Sequence, residues 1–209
     1  LKFNSRKSGC LVFGRGFNNC QLGDMTIGSE CINWVPNYMY LGLKIVSGKE
    51  FAVDVDGRRG TFCAAVNSVL AHKASLSEEC LMHIINTQRL PVLGYGVGVW
   101  KCNNDTIRRV GVCFSDTIRR IFGYRRYESV RTILFEFGLL PMDLYVAKAR
   151  LLMVSNAMRS ERELVRVCAE YVESSWEFYS SLVKFNVNVL TKSDIDYAVW
   201  VKSRDLLHV

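Results

Sequence analysis

Proline is scarce, with three residues in 209, so long stretches of the chain are free to form helix. No run of about 18 uncharged apolar residues occurs, and no membrane-spanning helix is expected. The opening LKFNSRKSG is polar and basic with no long apolar stretch behind it, so no secretory leader is expected; a chain that opens on Leu1 rather than Met reads as a fragment. There are eight cysteines but no CxxC pair. Cys80 and His83 make one CxxH, and zinc needs a second pair that is not evident. A disulfide framework suits small secreted chains, so these thiols are expected to be free and to pack as small hydrophobes. Low-complexity segments and extended repeats are lacking too.

What is present is positive charge, unevenly placed. The formal net charge is +7, and residues 1–57, 58–150 and 151–209 carry nets of +1, +7 and −1. The excess lies wholly in the middle of the chain, spread over helix-like segments rather than gathered in a tail. A localised basic surface attracts polyanions.

Residue patterns divide the chain into a β part and a longer α part. GCLVFGR (9–15), MTIGSECINWV (25–35) and YMYLGLKIV (38–46) carry strand and turn signals, and the last reads as a strong strand. Hairpins of a small antiparallel sheet are expected there. From about residue 58 the period becomes helical. Phe62, Val66, Val69 and Leu70 form one apolar face, and Leu81, Ile84 and Ile85 another, behind a Ser77 cap. The apolar, Gly-interrupted segment after Pro91 predicts a bent helix. Gly138 stops a helix over 128–138, and a long helix begins after Pro141. Ser160 and Glu163 suggest a capping box for a helix over 160–185, and a last helix covers 193–207. The fold class expected is α+β, a small β-hairpin region followed by a mainly α-helical bundle.

The segment DTIRRVGVCFSDTIRRIF (105–122) repeats the pentad DTIRR eleven residues apart. Eleven residues make about three helical turns, so equivalent positions return to one side. Ile107, Val110, Phe114, Ile118 and Ile121 form a core stripe. Arg108 and Arg109, then Arg119 and Arg120 about 16 Å further along, flank it, and Arg125 and Arg126 extend the patch. Two readings stand at this point. Asp105–Arg109 and Asp116–Arg120 at i,i+4 describe a solvated, ion-paired face. The second arginine of each unit leaves positive charge over, which describes a phosphate-binding face.

Five stretches in order resemble one family: LKFNSRKSGCLVFGR, VPNYMYLGLKI, FCAAVNSVLAHK, RLPVLGYGVGVW and DTIRRIFGYRRYESVRTILFEFGLLPMDL. Together they resemble the C-terminal part of the reverse transcriptase of non-LTR (LINE-like) retrotransposons, over about residues 1–155. The resemblance implies that residues 1–57 are the end of a polymerase palm with a primer-grip-like hairpin and that 58–155 are thumb-like and connecting helices; 156–209 carry no assignable role. It implies that the metal-binding aspartates precede this chain, so that Mg2+ belongs to the intact polymerase, no cofactor to this chain, and the chain alone is inactive. Asp54-Val55-Asp56 is a lookalike in the wrong place, two acids facing solvent or favouring a helix start.

The resemblance also implies roles. Lys7 matches the place of a proton donor to departing pyrophosphate, or it simply solvates a turn. Tyr40, Leu41 and Gly42 correspond to a backbone that grips the primer end, or to a buried strand. Cys63, Ala64 and Ala65 permit close packing or approach to a duplex groove, and Asn67 faces nucleic acid or bonds within the core. Arg108, Arg109, Arg119, Arg120, Arg125 and Arg126 are the expected phosphate contacts, and the expected partners are an RNA template and DNA primer together with the missing palm and fingers; no membrane is involved. Location in nucleus and cytoplasm follows from the resemblance only. Two alternatives remain open. One is a stand-alone nucleic-acid-binding module derived from such an element. The other is a helical protein-interaction domain using Trp176, Phe178 and Tyr179.

Overall fold

A computed structural model describes residues 4–17, 22–98 and 104–173, together with positions 195, 196, 198 and 201. The fold is α+β, with two small antiparallel sheets and a larger set of helices. Two compact units form, Leu1–Asp56 and Gly57–Val209.

The first unit begins with a single 3-10 turn, Ser5–Lys7, whose entry is capped by Asn4 accepting from Arg6 N at 3.1 Å. Strands β1 (Met25–Ile27) and β2 (Glu30–Ile32) make one hairpin, with Ile27 opposite Glu30. Its two-residue turn carries Gly28 at φ 66, the left-handed conformation that such tight turns require. Strands β3 (Asn37–Tyr40), β4 (Leu43–Val46) and β5 (Ala52–Val53) form the second sheet. The expected continuous strand over 38–46 is therefore two strands. The aromatic and β-branched residues on either side hide a turn at Leu41–Gly42. The expected strand over 9–15 contributes only isolated bridges, Cys10 to Trp34 and Phe13 to Gly48. Asp54 is half-buried and paired to Lys44 at 3.0 Å, rather than left to solvent.

In the second unit, α1 (Val55–Leu70) buries Phe62, Val66 and Val69, while Leu70 is only half-buried. Helix α2 (Glu78–Ile84) starts as its sequence indicates, with the Ser77 hydroxyl accepting from Cys80 N at 3.2 Å. Hydrogen bonds from the Glu79 backbone N–H and then from Ser77 hold the Glu79 carboxyl below its usual value. Between α2 and α3 (Leu90–Gly94) the chain widens into a π turn, Ile85–Arg89. Pro91 explains it. Proline has no N–H to give, and its ring would strike the carbonyl four residues back, so a regular α-helix cannot run through. The bent helix expected after Pro91 does not form in the described residues: α3 ends at Gly94 and residues 95–98 are a turn. Helix α3 then lies close to α6, because a Cβ at Gly94 would sit 2.5 Å from the Tyr145 ring.

Helices α4 (Asn104–Phe122), α5 (Arg131–Glu136), α6 (Met142–Met158) and α7 (Glu163–Glu173) complete the unit. Gly123 and Gly138, at φ 69 and φ 62, close α4 and α5 in the same manner. Tyr124 N donates to Arg119 O at 2.8 Å, and Leu139 N to Leu134 O at 2.7 Å, each satisfying a terminal carbonyl. Ser160 caps the entry to α7 through Arg162 N at 3.2 Å, one residue short of the contact a capping box makes. The expected extension of that helix to 185, with Trp176, Phe178 and Tyr179, lies outside the described residues. Of the expected last helix, Ile195 is fully buried beside Leu144, Leu151 and Val154, and Asp196 pairs with Lys148 at 3.0 Å.

Helix α4 packs against both α2 and α6 and carries much of this core. Val110, Phe114, Ile118 and Ile121 of its expected stripe are buried, with Cys113 and Thr117 beside them; Ile107 is only half-buried. Phe114→Ala should cost about 3–5 kcal/mol, because its cavity cannot collapse among fixed helices. Val112→Ala, on the exposed side of the same helix, should stay within about 0.5 kcal/mol. Urea unfolding of the full chain measures both; equal costs would place Phe114 outside the core.

Candidate nucleic-acid interface

The two copies of DTIRR are alike in sequence and unlike in surroundings. In the first, Asp105 accepts from Arg108 at 2.9 Å and faces Arg109 Nε at 3.4 Å. The hydrogen bond from Arg108, aided by the charges of both arginines, holds the Asp105 carboxyl below its usual value. In the second, Asp116 pairs with Arg119 at 2.9 Å, not with Arg120 four residues on. Arg119 Nε also donates to Glu128 O at 2.9 Å, which pins the turn after α4. The Arg119 side chain is 19% exposed, against 73% for Arg108. Arg119 therefore does not face outward as expected; the loop supplies a carbonyl that its sequence position does not reveal.

Eleven residues at about 100° each come within about 20° of whole turns, so the pairs share sides of the helix. Arg108 and Arg119 share one side. They line a groove of about 510 Å³ with Arg131 and the apolar Ile107, Leu134 and Met142. Arg109 and Arg120 share another side. Arg120 is exposed, and its carbonyl accepts from Lys73 Nζ at 2.8 Å. Arg125 donates to the Tyr127 hydroxyl at 2.8 Å, and Arg126 is exposed. Among the described residues, Arg120, Arg126 and Arg131 have no acidic partner. Arg131 is not among the residues that the sequence singles out. It lies in ESVRTILFEF, whose helical pattern draws attention to its apolar face, and its nearness to Arg108 comes from the fold.

Other basic groups of the middle segment are committed to structure. Arg58 donates to Val92 O and Tyr95 O at 3.1 and 2.9 Å and stacks over the Tyr95 ring at 5.4 Å. Burial lowers its pKa, with Tyr95 acting in the opposite sense. Arg150 is buried in α6. Among the described residues, the exposed arginines without an acidic partner named above lie on and after α4.

The remaining candidate residues lie elsewhere. On α1, Asn67 is exposed, which removes the core alternative for it; Cys63 and Ala64 are exposed and Ala65 half-buried. In the first unit, Tyr40 and Leu41 are 58% and 71% exposed at the tip of the β3–β4 hairpin, so the buried-strand alternative fails for them. Leu41 and Gly42 have φ 47 and φ 75, the paired positive values of a type I′ turn. Glycine adopts this conformation freely, whereas a leucine there is strained. Lys7 is exposed on its 3-10 turn, and Tyr38 donates its hydroxyl to the Lys7 carbonyl.

Among the described residues, no group of three His, Cys, Asp or Glu side chains is placed to hold a metal ion, and no helix is long and apolar enough to cross a membrane. No protein-family model, curated protein or solved structure matches the chain.

Two stability measurements follow from this geometry. Arg119→Ala should destabilise by about 1 kcal/mol through its missing bonds, while Arg120→Ala should be near neutral. Chemical denaturation of the two variants should separate them, and equal losses would mean that Arg119 holds nothing in solution. Leu41→Asn should stabilise the hairpin by about 1 kcal/mol, since Asn tolerates the left-handed region. Slower amide exchange across β3 and β4 would show this; faster exchange would mean that the Leu41 side chain packs on something.

Proposed function

We propose that this chain is part of an RNA-directed DNA polymerase of the non-LTR retrotransposon kind and that it holds the RNA template and DNA primer through their phosphates. The observation that carries the reading is the set of exposed arginines on and after α4, without acidic partners among the described residues, beside a groove lined by further arginines. Exposed cations on α4, on the loop after it and on α5 suit a charged backbone, which is gripped without reading its bases. The family in this reading rests on the five ordered sequence stretches, and a hairpin-bearing β unit followed by helices is compatible with it.

In this reading the strained, exposed Tyr40–Leu41–Gly42 tip serves as the primer-end grip. Strain held at an exposed apolar turn is the sort of feature that function retains. The α1 face bearing Cys63, Ala64 and Asn67 approaches the duplex, because small side chains allow it. Lys7 stands ready as proton donor to pyrophosphate in the intact enzyme. Asp54 is held by Lys44 and no metal step is assigned to these residues; the metal ions belong to aspartates of the missing palm.

Binding of an RNA/DNA hybrid, measured against salt concentration, tests the reading. Replacing Arg120, Arg126 and Arg131 together by alanine should weaken binding and flatten the log–log salt slope by about two to three, at about 0.9 for each phosphate no longer neutralised. Asp105→Asn should strengthen binding modestly, because Arg108 and Arg109 lose their competing carboxylate. An unchanged slope in the triple variant would sink the proposal.

A further inference from the structure

Two cysteines far apart in sequence meet inside the helical unit. Cys63 Sγ of α1 lies 3.2 Å from Cys113 Sγ of α4, fifty positions away. Cys63 is exposed and Cys113 is buried, and both are free thiols. Burial, then the hydrogen bond and the charge of Cys63, push the Cys113 thiol up to about 12, with Arg59 acting in the opposite direction. One of the two thiols donates to the other, and Cys63 is the exposed residue of the pair.

We propose that Cys63 and Cys113 form a reversible dithiol site that reacts with low-molecular-weight disulfides of the glutathione class. The two sulfurs are already in contact, and closing from 3.2 Å to a bond of about 2.05 Å asks for a movement smaller than a rotamer change. An exposed attacking thiol with a resolving thiol beside it is the arrangement that thiol exchange needs. The Cys63 thiolate attacks one sulfur of the small disulfide, forming a mixed disulfide and releasing one small thiolate. Cys113 then loses its proton to that thiolate and attacks Cys63 Sγ, releasing the second small thiolate, which takes up a proton from water. The two protein thiols are oxidised and the small disulfide is reduced to two thiols. The resulting bond ties α1 to α4, the helix that carries the DTIRR repeat. The site does not depend on the nucleic-acid reading, and hybrid binding is not its readout.

Other exposed cysteines provide internal controls, because Cys31, Cys80 and Cys168 have no thiol partner among the described residues. The full chain is equilibrated with oxidised and reduced glutathione, quenched, and mapped by mass spectrometry. The expected product is a Cys63–Cys113 bond exceeding glutathione adducts at Cys31, Cys80 or Cys168 by about tenfold at equal redox poise. Cys113→Ser should stop the reaction at a glutathione adduct on Cys63. Cys63→Ser should leave Cys113 as a thiol, and it serves alone if the buried substitution does not fold. Melting temperature should rise by about 5 °C or more on oxidation and fall back on reduction, as expected for a bond that closes a long loop. The proposal is overturned if wild-type Cys63 stays reduced, or carries glutathione to the same extent as the three control cysteines.

Discussion

The helical unit depends on the burial of one side of α4. Val110, Phe114, Ile118 and Ile121 come from a single helix and meet α2 and α6. Each such side chain stabilises by about 1.5–3 kcal/mol when fully removed from water. The surface ion pairs of the same helix contribute a few tenths each. The core stripe therefore makes the helix, and the arginines ride on it. Because the helix is fixed from beneath, the spacing of its cations is fixed too.

The order of effects also separates structural from available charge. The middle segment is rich in arginine, but arginine is used there in two ways. Arg58 and Arg119 donate to backbone carbonyls, acting as the caps and clasps for which the planar, multiply donating guanidinium is suited. Arg120, Arg126 and Arg131 carry charge at the surface with no acidic partner among the described residues. Like charges held close together repel and lower stability.

Much of the secondary structure was legible because it is decided locally. The Ser77 cap, the Gly138 stop and the 110–114–118–121 stripe follow from capping geometry, left-handed φ and helical period, all readable within a few residues. The failures are of two kinds, local and tertiary. The break in 38–46 hides because a leucine holds a turn position that Asn commonly takes. The π turn before Pro91 follows from a clash with a carbonyl four residues away, which signals disruption but not its form. The capture of Arg119 by the Glu128 carbonyl, the approach of Arg131 to Arg108, and the meeting of Cys63 with Cys113 are all tertiary, and no local pattern reveals them.

The DTIRR repeat shows most clearly why a motif is not a site. Both copies place Asp three residues before their first arginine, and both form that pair, because helix geometry alone dictates it. The copies diverge only where each meets its neighbours. Near the start of α4, Arg108 stays in solvent at the mouth of the groove. Near its end, the chain must turn back at Gly123, and the returning loop brings a bare carbonyl within reach of Arg119. The guanidinium that donates to it holds the turn at the loss of one exposed charge. The second arginine of the same copy, Arg120, is turned away by about 100° and remains in water. Two adjacent residues of one type thus divide the tasks of holding the turn and presenting charge.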